Sequence, residues 1–174
     1  MALACSTRAL TRSRDESTRG GRRHEDDLVT EREAIEGTYQ LFAEGWAALH
    51  PGDPSDPNHV PYTFRDEVFG ADQLGALEAW VRVSIQHTAS DQVTHGSAPS
   101  RKFERRGNVF VQVFAPIDQG VGLLATLAGD ARTVLEGQRI DDLCIYAGRT
   151  EESPGDGRWA MTVVVLPFRY TEVR

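Results

Sequence analysis

The chain predicts an α+β fold, an antiparallel sheet packed with an N-terminal helix and a helix inserted between strands. Three observations carry this. A run with a helix-capping signature and helical apolar spacing opens the folded part, a second helical run begins near residue 120, and segments of alternating apolar and polar residues flank that second helix on both sides.

Residues 1–27 are rich in Arg, Ser, Thr and Gly and poor in large apolar groups. Such a segment cannot bury enough surface to offset the entropy of ordering, so it is expected to be a flexible basic arm. Asp15 and Glu16 set it apart from a transit peptide, and no apolar stretch precedes Leu3-Ala4-Cys5 as a lipoprotein signal requires. Residues 28–174 then form one domain, since the Pro/Gly/Asp-rich interruptions are too short to separate two cores.

Thr30-Glu-Arg-Glu33 has capping-box spacing, so a helix is expected over about 30–50. Its buried stripe is Ile35, Tyr39, Phe42, Trp46 and Leu49, and Pro51-Gly52 ends it. The Asp53–Asn58 run, with two prolines, is a loop. A short strand is expected within 62–69. In the strand over 78–87, Val81, Val83, Ile85 and His87 share one face, and Trp80, Arg82, Ser84 and Gln86 share the other. Gly96 to Lys102 is a polar link. Phe103 to Phe114 makes the next strand, with a bend at Gly107.

The helix from Gly120 to about Glu136 has the stripe Val121, Leu124, Ala125, Ala128, Ala131 and Leu135, and Gly137 stands where a left-handed C-terminal glycine belongs. Segments 140–146 and 158–170 are expected to pair as a closing antiparallel hairpin across the turn-rich 151–157. Cys144 reads as a small buried hydrophobe and not as a disulfide partner of Cys5.

Composition limits the function classes. The net charge is −7 although residues 1–24 hold six arginines against two acids, so the domain itself is acidic and would repel a phosphate backbone over most of its surface. No apolar run approaches the ~20 residues of a membrane span. Gly120-Val-Gly122 lacks the later glycine and the lysine of a phosphate loop, and the five histidines show no HxxxH or CxxC-linked spacing, so neither cofactor nor metal is expected. His87 reads as an imidazole at the core edge. A triad of Ser84, His87 and Asp91 is geometrically poor, because a Ser and a His three apart on a strand point to opposite faces. No catalytic residue is assigned.

The residues left over suit association. Trp80 stands on the polar face of its strand, and Arg101-Lys-Phe-Glu-Arg-Arg106 is the dense basic cluster of the domain. The expected subunit contact joins Trp80, Arg82, Arg101, Lys102, Arg105 and Arg106 on one copy to Asp141, Asp142, Glu151 or Glu152 on its neighbour. Asp in place of Trp80 and Arg105 is then expected to abolish association while leaving the subunit folded.

Two segments carry a family likeness. Gly107-Asn-Val-Phe-Val-Gln-Val-Phe-Ala-Pro116, followed by Gly120-Val-Gly and a helix, and the closing run from Trp159 to Glu172 with Pro167-Phe168-Arg169-Tyr170, resemble the tail terminator proteins of long-tailed bacteriophages of the lambda type. The resemblance covers about residues 28–174. It implies a non-enzymatic virion protein, a hexameric ring at the head-proximal end of the tail that caps the tail tube, stops its elongation and offers the surface for head–tail joining. Its implied partners are further copies of itself, the tail tube protein and the head–tail connector. The arginine arm departs from the compact family pattern, and a separate expectation is that it reaches an adjacent virion component or DNA at the neck. A head-completion or neck adaptor is the nearer alternative, and a small ligand-binding or hydrolase domain the more distant one.

Overall fold

A computed structural model describes residues 29–56, 58–65, 67, 69–70, 77–95, 97, 100–155 and 157–174. The expected basic arm over 1–27 lies outside the described residues, as does Asp66. Within them the elements run α1 (Glu31–Leu49), β1 (Tyr62–Phe64), β2 (Trp80–Gln92), β3 (Lys102–Pro116), a 3-10 turn (Ile117–Gln119), α2 (Gly120–Leu135), β4 (Arg139–Ile140), β5 (Leu143–Ile145), β6 (Arg149–Ser153) and β7 (Trp159–Val173). The α+β architecture, with one helix before the sheet and one between strands, is the one the sequence predicts.

The sheet is built on β3 and β7, which pair antiparallel from Lys102–Val173 to Pro116–Trp159 without a break in register. Strand order is β1-β2-β3-β7-β5-β4, and β6 also pairs with β7. Val109, Val111 and Val113 of β3 and Val164, Leu166 and Phe168 of β7 point to one face, as the two-residue period dictates. Both helices cover that face. Phe42 and Trp46 of α1 and Leu124, Leu127, Ala131 and Leu135 of α2 close the core over Val81, Val83 and Ile85 of β2.

The capping box of α1 forms as expected: Glu33 N–H donates to Thr30 Oγ1 and Thr30 N–H donates to Glu33 Oε2. The buried stripes, however, are shifted. In α1 the buried residues are Ala34, Thr38, Phe42 and Trp46, with Ile35 and Tyr39 half-buried and Leu49 exposed. In α2, Leu127 and Val134 are buried, whereas Val121 and Ala125 face outward. The reason is that each helix contacts the other as well as the sheet, which rotates the apolar face toward the second neighbour. Gly45 permits that contact, because a Cβ there would stand 2.6 Å from Val134 Cγ1.

Three further differences concern strands. β1 pairs with β2 in parallel, through Tyr62–Val81 to Phe64–Val83, so the sheet is mixed. Segment 140–146 is itself a tight hairpin, β4 and β5, turned at Asp141 with φ 50°. A short carboxamide or carboxylate side chain tolerates that left-handed conformation better than most. The stretch expected as a turn-rich loop holds β6, which pairs with Met161–Val165. β5 meets β7 only at Arg169 and Phe168, so Pro167 lies where β7 changes neighbours. A missing N–H costs least at such a position.

Gly107 lies at the irregularity of the β2–β3 pairing between His87 and Ala89, pressed against the Gln86 carbonyl and the Phe168 ring. A side chain there has no room, which explains the glycine inside a long strand.

Two glycine substitutions separate close approach from simple chain flexibility. Gly45→Ala should destabilise the protein by about 1–3 kcal/mol through overpacking against Val134. Gly129→Ala, where an added methyl meets nothing within 4 Å, should stabilise it by about 0.5–1 kcal/mol. Urea denaturation of the two variants measures both.

Candidate functional site

The sheet face remote from the helices carries a second, smaller apolar cluster at the end where β3 stops. Trp80, Phe114 and Trp159 form it, with Phe69, Leu77 and Met161 packed around them. Trp80 stacks on Phe114 at 3.9 Å between ring centroids and meets Trp159 edge-on. It is only 8% exposed. The sequence placed Trp80 correctly on the polar face but not in solvent, because that face is itself partly covered by the chain around Phe69 and Leu77. Its indole Nε1–H is enclosed, with no acceptor among the described residues.

Arg82 also belongs to the subunit's own surface. It is half-buried, donates from Nε to Gln112 Oε1 at 2.7 Å and lies over the Phe114 ring. Beyond it the same face presents Ser84, Phe110 and Val163, all half-buried, and neither α1 nor α2 covers them.

The basic cluster divides in two. Arg105 turns to the core side, where both Nε and Nη2 reach Glu172 Oε2 at 2.8 Å, and Arg174 holds the other oxygen at 2.7 Å. Arg106 pairs with Glu104, which also takes Arg169 at 3.4 Å. These two arginines are committed within the subunit. Arg101 and Lys102 are exposed at the start of β3.

The acidic candidates divide as well. Asp142 Oδ2 accepts the Thr171 N–H, and Thr171 pairs with Glu104, so Asp141 and Asp142 lie at the same end of the sheet as the basic cluster. Glu151 and Glu152 on β6 lie at the other end, level with Val163 and Thr162. Glu151 is held by Arg149 at 2.6 Å, and Glu152 is exposed. An Asp at Trp80 or Arg105 would therefore disturb the subunit itself, contrary to the sequence expectation.

The place where titratable groups converge is the core-side end of the sheet. His87 Nε2 and the Tyr170 hydroxyl are 2.9 Å apart, Glu31 from the first turn of α1 stands 3.6 Å from His87 Nδ1, and the Arg105–Glu172–Arg174 group adjoins them. Burial holds the His87 pKa below its ordinary value, with Glu31 opposing and Arg105 adding to the effect. Burial, aided by Glu31 and Glu172, pushes the Tyr170 phenol up to about 12. Near neutral pH the phenol is thus protonated and the imidazole uncharged, each engaged with the other. These groups fasten α1 and the end of β3 to β7. His87 is the core-edge imidazole that the sequence suggested, while Glu172 was missed because its burial depends on Arg105, 67 residues away in the chain, as well as on nearby Arg174.

A groove of about 450 Å³ opens at the opposite end, between the start of α2 and the β6–β7 turn, lined by Ile117, Val121, Leu124, Ala160, Met161 and Glu152 among others. Ile117 is 56% and Val121 72% exposed, and the two stand together at this groove. The helical spacing assigned Val121 to the core, yet the first turn of α2 overhangs the sheet and leaves it bare. Among the described residues no cluster of His, Cys, Asp and Glu is arranged to hold a metal, and no helix is long and apolar enough to cross a membrane.

Removing Glu172 tests the fastening. Glu172→Ala should cost about 3 kcal/mol, the lower end for breaking a buried ion pair because Arg105 keeps some contact with water; urea denaturation reports it. Since the folded protein favours neutral His87, the unfolded chain takes up that proton first. The resulting stabilisation is complete above about 6.5 and is lost as pH falls through the folded value. NMR titration of the imidazole should give a midpoint below 6.5, and one at or above it would contradict the burial account.

No protein-family model matches this chain, and no curated protein matches it. One solved structure, whose name is a serial identifier, is similar over 76% of this chain and 94% of that chain, at 14% identity and a TM-score of 0.48.

Proposed function

We propose that this protein is a structural subunit of a phage tail, one that associates into a closed ring, caps the tail tube, stops its elongation and receives the head–tail connector. The observation that carries the reading is the uneven covering of the sheet. One face is closed by α1 and α2, while the other presents the half-buried Phe110 and Val163 on either side of Gln112, with Arg82 and Ser84 beside them on β2. Half-buried apolar groups interleaved with polar ones suit a protein–protein contact.

The resemblance of the β3–turn–α2 segment and the closing strand to tail terminators supplies the identity of the partners. In this reading the uncovered sheet face meets the tube or the connector. The groups that could suggest chemistry, His87 and Tyr170, are engaged with each other at the α1 junction, which fits a fastening role. The virion location and the hexameric number belong to the same proposal.

Imaging of particles assembled without the protein tests it. The terminator reading expects tails of uncontrolled length. Normal-length tails that fail to join heads would replace it with a neck adaptor, and normal particles would remove it altogether.

A further inference from the structure

The two ends of the long strands differ in a way that suits mutual recognition. At one end, Val93 and Lys102 are held side by side, since Val93 N–H donates to the Lys102 carbonyl and Lys102 N–H donates to Thr94 Oγ1. Val93 is 52% exposed, and Arg101 and Lys102 are exposed beside it. At the other end lies the groove with bare Ile117 and Val121, bordered by Asp118 and Glu152, both exposed. One end therefore offers an aliphatic side chain among cations, and the other an aliphatic groove among carboxylates.

The 15 residues of β3 separate these ends. At ~3.3 Å per residue that is roughly 45 Å, too far for them to meet within one subunit. One end presents a single aliphatic side chain and the other an aliphatic groove, and the exposed charges beside them are of opposite sign. Because they differ and stand at opposite ends, a contact between them runs head-to-tail from copy to copy, and it makes a ring where the rotation between copies closes.

We propose that the Val93–Lys102 end of one copy docks into the Ile117–Val121 groove of the next, with Lys102 facing Glu152 across the contact. This rests on the ring reading given above and names the surfaces that make the ring. The contact retains Lys102 and Glu152 from the residues singled out in the sequence, and it excludes Trp80, Arg105 and Asp142, which the subunit uses itself.

Charge reversal on the full chain tests it, because all the positions are exposed and the variants should fold, as circular dichroism will check. Lys102→Glu and Glu152→Lys should each weaken self-association by about tenfold per contact, measured by sedimentation velocity. Combining the two in one chain restores an opposite-charge pair at every contact and should bring association back to within about threefold of the parent. Negative-stain microscopy of the parent should show rings, and Val121→Asp should abolish them. Rings that tolerate Val121→Asp and both single reversals would overturn this contact and leave the ring reading standing, as would single variants that weaken without rescue. A parent chain that stays monomeric, alone and with tail tubes, would overturn the ring reading and this contact together.

Discussion

The unbroken register between β3 and β7 is the constraint on which the rest of the structure depends. Fifteen consecutive pairs fix which residues of each strand face the helices, and a slip of β7 by one residue against a fixed β3 would turn Val164 and Leu166 away from the core. β2 is added on one side and β5 and β6 on the other, so every further strand inherits its facing from this pair. The polar group around Glu172 clamps one end of the pair. The stacked rings of Trp80, Phe114 and Trp159 close the other.

This frame explains where interaction surface remains. Among the described residues both helices lie on one face, and on the opposite face Phe69 and Leu77 pack at the tryptophan end. The strands are long relative to the helices that cover them, and the ends of the sheet project past the core. Val93 at one end and Ile117 and Val121 at the other are exposed for that geometric reason. Their exposure is built into the strand length, which makes it a property that association can use.

Much of the fold was legible because it is written in local chemistry. The Thr30–Glu33 box, the alternation in β2 and β3, and Gly137 at positive φ beyond α2 each form where residue type and spacing place them. What was not legible depended on partners far away in sequence. The shift of both helical stripes follows from Gly45 meeting Val134, and β1 runs parallel because of where the 50–61 segment returns it. β6 was hidden because Arg149-Thr-Glu-Glu-Ser has the composition of an exposed loop, and only pairing with β7 makes it a strand.

The candidate surface shows the same division. Alternation put Trp80 and Arg82 on the correct face, but alternation is silent about what else covers that face. Charge density identified the basic cluster, yet which arginines remain exposed was decided by Glu104 and Glu172, both brought in by the fold. The acidic residues of β6 and the bare start of α2 come together only in three dimensions, as the groove.

The central claim is that this subunit is made to associate with copies of itself through unlike ends. Native mass spectrometry of the intact chain tests it most directly. The account predicts a closed assembly at about six times the 19.2 kDa of one chain, with no stable dimer on the way. A species of 19.2 kDa that persists at all concentrations, or a discrete two-fold dimer, would contradict it.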